Sequence, residues 1–254
     1  MKIVRFLANN RTSYGVLNGQ IIQAIEGRPF GSIKFSGEQF KVSRVKLLAP
    51  CQPSKIVALG VNYVSHGIEF EHPVPKSPLI FIKPATAVIG QEENIIYPPS
   101  SKQVDYEAEL GVVIKKVARR IKKENALDYI LGYVCFNDVT ARDQQKADGQ
   151  WTRAKSYDTF APLGPCIETE IDPSNVDVES YLNGKLKQHG NTRDLVFPVV
   201  ELIHFVSNVM TLLPGDIIAT GTPSGVGPML PGDIVEIRIP SIGTLRNHVV
   251  GLDT

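Results

Sequence analysis

The stretch VDYEAELGVVI, residues 104–114, places three carboxylates at alternate positions before a run of apolar residues. In an extended chain successive side chains point to opposite sides, so Asp105, Glu107 and Glu109 share one face of the predicted strand. Carboxylates beside a core call for a cation among them, and oxygen ligands favour a hard ion such as Mg²⁺, Mn²⁺ or Ca²⁺. The same alternation is typical of a solvent-exposed strand face, so both interpretations stay open for this segment alone.

The apolar runs around this stretch predict a β-rich fold. They are short, rich in β-branched residues and bounded by Gly or Pro, as in KIVALGV, LIFIKP, DIIATG and DIVEIRI, which favours an antiparallel or mixed β architecture. One convincing helix is predicted to begin near Pro198, because apolar residues then recur at helical spacing as far as Met210. Shorter helices are predicted around 123–130 and 140–149.

The N-terminal part of the chain differs from the rest in pattern. Residues 1–26 alternate apolar and polar around Asn18-Gly19, a pair typical of a type I′ hairpin turn, and a polar, Gly-containing connector leads to Pro50. The sequence therefore predicts a small β-rich N-terminal domain over 1–50 and a larger domain over 51–254.

Composition excludes several classes of function. The chain has 254 residues, 43% of them hydrophobic, and its 27 Lys and Arg nearly balance 26 Asp and Glu. A net charge near zero removes the electrostatic argument for nucleic acid or an anionic membrane and leaves a small molecule as the expected partner. The three cysteines have no C-x-x-C spacing, and no run of about 18 apolar residues occurs, so we expect a cytoplasmic protein without a membrane span.

Two further acidic or basic groups are candidates for chemistry. Asp138 ends a long apolar run, where it is either a third metal ligand beside Glu107 and Glu109 or a helix N-cap. His66 and Glu69 are three residues apart, so on one helical turn the carboxylate can orient the imidazole as a general base. A histidine in a Gly-containing surface loop is the alternative for that pair.

The remaining candidates are individually weaker. Lys155 follows the lone tryptophan and is a surface lysine by default, whereas Lys83 lies in a strand that looks buried on both faces. ATGTPSGVG, residues 219–227, ends a strand with a Gly-rich loop whose amides and Thr222 hydroxyl could hold a carboxylate. The sequence has neither a P-loop nor a G-x-G-x-x-G after a strand, which argues against a dinucleotide cofactor.

Five motifs follow one another along the chain: GVNYVSHGIEF, FIKPATAVIG, VDYEAELGVVI, FNDVTARDQQ with AKSYDTFAPLGP, and GTPSGVG. In this order and spacing they resemble the fumarylacetoacetate hydrolase superfamily over about residues 53–250. The resemblance is nearest to the smaller branch of acylpyruvate hydrolases, oxaloacetate decarboxylases and hydroxyheptadienedioate isomerases. It implies a mixed β-sandwich or β-roll with a few covering helices, usually a homodimer.

The resemblance also implies a role for each candidate residue. It makes Glu107, Glu109 and Asp138 the ligands of Mg²⁺ or Mn²⁺, with Ca²⁺ as a possible substitute, and leaves Asp105 outside the ligand set. His66 and Glu69 become the dyad that handles a water or proton, and Lys155 a third catalytic residue, which could return a proton to the substrate. The substrate contacts implied are Lys83, Arg142, Gln145 and Thr222. Gln144 departs from the family pattern, which often has an aliphatic residue there, and we expect the change to affect the pocket lining.

The implied chemistry is metal-assisted reaction of a 2-oxo acid or dicarboxylate, as in the breakdown of aromatic compounds. Loss of a carbon–carbon bond beside the ketone gives an enolate whose charge a metal stabilises. Hydrolysis of an acylpyruvate, isomerisation of 2-hydroxyhepta-2,4-diene-1,7-dioate and decarboxylation of oxaloacetate share that intermediate, and the His66 and Glu69 pair favours hydrolysis. The rivals are a catalytically silent metal-binding homologue and a cofactor-dependent oxidoreductase.

Overall fold

The computed structural model describes residues 1–69, 73 and 75–252, and strands far outnumber helices in them. The strands are β1 (Lys2–Ala8), β2 (Arg11–Asn18), β3 (Ile21–Ile25), β4 (Phe35–Lys41), β5 (Lys46–Leu48), β6 (Lys55–Gly60), β7 (Leu79–Pro84), β8 (Val88–Ile89), β9 (Asn94–Tyr97), β10 (Val104–Tyr106), β11 (Ala108–Ile114), β12 (Ile130–Asn137), β13 (Thr140–Ala141), β14 (Ala161–Glu168), β15 (Asp177–Leu182), β16 (Lys185–Asn191), β17 (Ile217–Ala219), β18 (Gly227–Met229), β19 (Ile234–Ile239) and β20 (Gly243–Gly251). The α-helices are α1 (Val64–Glu69), α2 (Arg142–Asp148), α3 (Thr152–Lys155) and α4 (Val199–Val209).

The strands form three sheets. The largest has 12 strands in the order β4-β3-β2-β1-β14-β12-β11-β17-β6-β7, with β5 added beside β1 and β8 beside β14. A 5-stranded sheet runs β16-β15-β19-β20-β9, and a 3-stranded sheet runs β13-β10-β18. Leu110 and Val112 of the large sheet share one buried cluster with Val178 and Ile237 of the 5-stranded sheet, so the two sheets face each other across a common core. The predicted β-rich fold class with few helices is confirmed.

The first 50 residues extend the large sheet, because β1 pairs antiparallel with β14. The predicted turn residues were wrong: Gly19 has a positive φ of 58° but Asn18 does not, and β2 and β3 are joined through Gly19 and Gln20. Among the first 50 residues, two consecutive positive φ values occur instead at the preceding turn, at Asn9 (48°) and Asn10 (57°), between β1 and β2. The domain boundary at residue 50 stays a prediction.

The helix prediction near Pro198 is confirmed. Pro198 is the N-cap of α4, and Leu202, Ile203 and Val206 face the core. Residues 123–129 form a 3₁₀-helix instead of an α-helix. The stretch 140–149 begins as β13, because Thr140 pairs with β10, and only then turns into α2. In the described residues no helix has the length and apolar character needed to cross a membrane.

The feature of the fold that matters most for function is a change of sheet at Glu107. Before this residue β10 belongs to the 3-stranded sheet, and after it β11 lies between β12 and β17 in the large sheet. Glu107 itself is in neither strand. The stretch that alternates acids in the sequence therefore passes through a break in strand pairing, and breaks of this kind re-aim side chains.

Candidate active site and metal centre

Three buried carboxylates converge where the chain passes from β10 to β11. The N–H of Glu107 donates to Oδ1 of Asn137 at 2.9 Å, and its carbonyl accepts from the N–H of Asp138 at 2.9 Å. Glu109 lies in β11 opposite Phe136 of β12. One carboxylate oxygen from each of Glu107, Glu109 and Asp138 lies within 4.8 Å of the others. Two adjacent strands thus bring the predicted ligand set together.

Two buried lysines contact this carboxylate cluster. Lys155 donates from Nζ to Oε2 of Glu107 at 2.9 Å and to Oδ2 of Asp138 at 2.6 Å, and Lys83 donates to Oδ1 of Asp138 at 2.5 Å. Burial opposes the charge of Lys155, but Asp138 and Glu107 outweigh it and hold the pKa of Lys155 above its ordinary value. Lys155 is therefore a site residue and not the surface lysine that its type suggests by default.

Arg142 is the third buried cation, and it connects the cluster to Asp105. Its Nε donates to Oδ2 of Asp105 at 2.8 Å, and its Nη2 forms an ion pair with Oε1 of Glu107. Its Nη1 donates to Oε1 of Gln145 at 2.7 Å. Asp105 is thus outside the ligand set, and through Arg142 it helps to orient Glu107.

Glu109 differs from the other acids because no cation pairs with it among the described residues. Its Oε2 accepts from the N–H of Gly221 at 2.8 Å, and its buried Oε1 has no hydrogen-bond partner there. Burial, together with the neighbouring Asp138 and Glu107, holds the pKa of Glu109 well above its ordinary value. By contrast, Lys155 and Arg142 overcome the effect of burial on Glu107 and hold the pKa of Glu107 well below its ordinary value.

These donors fit a hard divalent cation. They are all carboxylate oxygens, they converge from two strands, and the orphaned Oε1 of Glu109 supplies an acceptor that a cation would satisfy. Four buried carboxyl groups meet three buried cations here, so one carboxylate lacks a counter-charge. Burying an unpaired carboxylate is costly, and a bound Mg²⁺ or Mn²⁺ would remove that cost.

A cavity of about 200 Å³ opens beside the cluster. Glu107, Arg142, Lys155, Gln145 and Thr222 line it, together with His66 from α1. The residues predicted to bind metal, to handle protons and to contact substrate therefore meet at one place. Four of the predicted residues lie outside the lining: Glu69, Lys83, Glu109 and Asp138. Lys83 touches the site through Asp138.

His66 and Glu69 lie on α1, and His66 lines the cavity. Their Nδ1 and Oε2 atoms are 3.5 Å apart. Burial lowers the pKa of His66 below its ordinary 6.5, although Glu107 and Glu69 partly offset the effect, so the imidazole is neutral at pH 7. A neutral imidazole beside a carboxylate can accept a proton. Phe70, the last residue of the GVNYVSHGIEF motif, lies outside the described residues.

The Gly-rich loop after β17 holds carboxylates of the protein itself. The N–H of Gly221 donates to Glu109, and the N–H of Gly225 donates to Oε1 of Glu69 at 3.0 Å. The sequence indicated that amides of this loop could hold a carboxylate, and the two carboxylates that they hold are side chains of the protein. The loop thus fixes one group of the metal cluster and one group of the proposed dyad.

Several features of the site were missed in the sequence. Trp151 lines the cavity and packs edge-on against Phe81 at 5.2 Å between ring centroids, and the exposed Lys146 lies at the rim. Asn137, whose side chain accepts a hydrogen bond from the N–H of Glu107, is the last residue of β12. In the sequence, only its position next to Asp138 indicated that it could belong to the site. Gln144 was predicted to affect the pocket lining, but its amide is bonded to Ser100 and Tyr157 outside the cavity.

Comparison with known proteins identifies the family of the chain. Residues 55–250 match the family described as fumarylacetoacetate (FAA) hydrolase C-terminal, and residues 1–50 match one described as Rv2993c-like, N-terminal. The chain is 43% identical over 221 residues to the mitochondrial oxaloacetate tautomerase fahd2 of Xenopus laevis, covering 82% of this chain and 69% of that protein.

Two solved structures are similar over almost the whole chain. The 2-hydroxyhepta-2,4-diene-1,7-dioate isomerase of Mycobacterium marinum is 41% identical, with a TM-score of 0.94 and coverage of 100% of both chains. The maleylpyruvate hydrolase of Sphingobium sp. SYK-6, solved with manganese(II) and pyruvate, is 31% identical, with a TM-score of 0.81 and coverage of 99% of both chains. The family match and these identities, over a chain whose buried acids converge as described, show that this protein belongs to the fumarylacetoacetate hydrolase family.

Proposed function

We propose that the protein is a divalent-metal-dependent enzyme that acts on 2-oxo acids through an enolate, with hydrolysis of an acylpyruvate carbon–carbon bond as its first candidate reaction. The observation that carries the proposal is the orphaned Oε1 of Glu109 within three converging buried carboxylates. Glu107 of that cluster lines the same cavity as His66. A cation site and a proton acceptor are thus available to one small ligand.

Glu107, Glu109 and Asp138 would hold the Mg²⁺ or Mn²⁺. Such an ion, when bound, polarises a 2-oxo group and stabilises the developing enolate by several kcal/mol. Lys155 keeps its charge at neutral pH, because Asp138 and Glu107 hold its pKa above the ordinary value. Its ammonium is therefore a poor proton acceptor.

His66 is the best proton acceptor in the cavity. Its neutral imidazole can take a proton from a water or from a substrate carbon, and the Glu69 carboxylate, 3.5 Å from Nδ1, stabilises the cation that forms. Gly225 in turn holds Glu69. Transfer to water gives a nucleophile for hydrolysis, whereas transfer to and from carbon gives isomerisation.

Lys146 supports a dicarboxylate as substrate. It is exposed, it lines the cavity, and within the described residues it has no carboxylate partner. A second carboxylate at the far end of a ligand would find there a cation not already engaged, unlike Arg142 and Lys155.

Isomerisation or tautomerisation is the second candidate. The isomerase of Mycobacterium marinum and the oxaloacetate tautomerase of Xenopus laevis are 41% and 43% identical to this chain. The maleylpyruvate hydrolase is 31% identical. Decarboxylation of oxaloacetate would use the same enolate and needs no attacking water. The residues of the cavity serve all three reactions, and the substrate decides among them.

The test is a parallel assay of three substrates with purified protein: an acylpyruvate, enol oxaloacetate and 2-hydroxyhepta-2,4-diene-1,7-dioate. We expect ultraviolet absorbance changes that require Mg²⁺ or Mn²⁺ and stop with EDTA, fastest for one substrate. Mn²⁺ binding measured by electron paramagnetic resonance separates the two parts of the proposal. Bound Mn²⁺ with three flat traces would support a silent metal-binding homologue, and absence of Mn²⁺ binding would contradict the metal site itself.

A further inference from the structure

The side chain of Gln188 forms hydrogen bonds both beside the carboxylate cluster and in the Gly-rich loop. It lies in β16 of the 5-stranded sheet and is fully buried. Its Oε1 accepts from the N–H of Ala108 at 2.9 Å, and its Nε2 donates to Oγ1 of Thr222 at 2.8 Å and to the carbonyl of Pro223 at 2.8 Å. Ala108 stands between Glu107 and Glu109, at the break in strand pairing. Gln188 therefore supplies the partner that this backbone amide would otherwise find in a neighbouring strand.

The orientation of the Gln188 amide follows from its partners. The amide of Ala108 can only donate, so the atom facing it is Oε1, and the carbonyl of Pro223 can only accept, so the other atom is Nε2. Because Nε2 donates to Thr222, the hydroxyl must accept there. Its own hydrogen goes to the carbonyl of Ala108, 2.8 Å from Oγ1.

These three residues thus form a closed ring of hydrogen bonds. Ala108 donates to Gln188, Gln188 donates to Thr222, and Thr222 donates back to Ala108. A hydroxyl has one hydrogen and two lone pairs, so the ring leaves Oγ1 of Thr222 with one lone pair and no hydrogen. Thr222 lines the cavity. Toward a ligand that reaches this oxygen, the Thr222 hydroxyl can only accept a hydrogen bond.

We propose that Gln188 is a positioning residue that fixes Thr222 as an acceptor, so that the site recognises a hydroxyl-bearing ligand, the enol or 2-hydroxy form of a 2-oxo acid. This inference rests on the proposed function and deepens it. A ligand carbonyl facing Thr222 would place two acceptors together without a hydrogen between them, which is unfavourable in a buried site. A ligand hydroxyl in the same place would be satisfied.

The test compares two ligands that differ in this one group. Titration calorimetry measures the binding of lactate and of pyruvate to the Mg²⁺-loaded protein. The lactate enantiomer with the higher affinity is used. Thr222→Val keeps the shape of the side chain and removes the acceptor, so we expect lactate affinity to fall about fivefold more than pyruvate affinity, the size of one hydrogen bond. Thr222→Ser keeps the hydroxyl and should preserve the ratio of the two affinities.

Gln188→Met tests the positioning role, because it fills similar space without donating or accepting. We expect the affinity ratio to change in the same direction as in Thr222→Val, whereas a loss of packing alone would weaken both acids equally. An unchanged ratio in Thr222→Val, or an equal loss in Gln188→Met, would overturn the assignment of Gln188 and Thr222 and leave the proposed function standing. Failure of both acids to show Mg²⁺-dependent binding to the unsubstituted protein would overturn the proposed function and this inference with it.

Discussion

The carboxylate cluster and helix α1 supply the two halves of the proposed chemistry, and they are built differently. Glu109 lies within the β11–β12 ladder, and Glu107 and Asp138 are fixed by backbone hydrogen bonds at its end. Helix α1 has only six residues, and its Glu69 is exposed. The side chains of Ser65 and Glu69 accept hydrogen bonds from backbone N–H groups of the Gly-rich loop. The carboxylate cluster is part of the core, whereas α1 is bonded to a loop.

The difference separates binding from proton transfer. Ligands that converge on an ion must be held closely, and a ladder of backbone hydrogen bonds does this at little cost in side-chain entropy. A general base needs only to approach the substrate, and catalytic contacts often tighten when the ligand arrives. We therefore expect changes in the cluster to abolish metal binding and changes in α1 to spare it.

The largest effect is expected for Glu107→Gln, which removes a charged ligand and leaves Arg142 and Lys155 facing a neutral amide. Loss of several kcal/mol of transition-state stabilisation corresponds to a fall in turnover on the order of 10³-fold. Mn²⁺ binding by electron paramagnetic resonance should be lost while the circular dichroism spectrum is retained. Glu124→Gln, at an exposed position in the 3₁₀-helix, is the matched control. Full activity of Glu107→Gln would contradict the ligand assignment.

The second largest effect is expected for a substitution of His66 on α1. His66→Gln removes the proton acceptor, so kcat should fall about 10² to 10⁴-fold, the usual contribution of a positioned acid or base. Mn²⁺ affinity should stay within a few-fold of the unsubstituted protein, since His66 is not a predicted ligand. A parallel loss of metal binding would show that α1 and the cluster do not act separately.

A smaller effect is expected from pH. The raised pKa of Glu109 means that this carboxyl keeps its proton above its ordinary 4.5 in the metal-free protein. A bound ion must displace that proton, so Mg²⁺ affinity should rise with pH from about 4.5 up to the raised pKa and level off beyond it. Calorimetry in two buffers of different ionisation enthalpy should detect proton release on binding. Affinity that is flat over this range would contradict the raised pKa.

The smallest effect should come from the cavity wall. A Cβ added at Gly60 would lie 2.5 Å from Cη2 of Trp151, so Gly60→Ala must displace the indole. We expect KM to rise a few-fold with Mn²⁺ binding unchanged, because a loosened wall costs roughly 1 kcal/mol of ligand contact. Gly31→Ala, where an added Cβ meets nothing within 4 Å, is the matched control. Equal effects of the two substitutions would contradict the role of this contact.

Much of the site could be predicted from residue type and position. Glu107 and Glu109 alternate beside a core and Asp138 ends an apolar run, so the sequence identified all three as candidate ligands. It left open a solvent-exposed strand face for the first two and a helix N-cap for Asp138. The roles of Arg142 and Lys155 came only from the resemblance to a family, because nothing local distinguishes a buried cation from a surface one. Both cations are buried, and each forms ion pairs with carboxylates that lie far from it in the sequence. These ion pairs offset the cost of burying the charge.

The sequence by itself determined the β-rich fold, the α4 helix and the identity of the acids, because these depend on local periodicity and on the position of apolar runs. Only the tertiary structure decided that chain pairing breaks at Glu107, that Gly221 and Gly225 bind the protein's own carboxylates, and that Gln188 reaches Ala108 across 80 positions of sequence. Such contacts depend on which strands become neighbours. That arrangement is set by the burial of the whole core, and no local pattern encodes it.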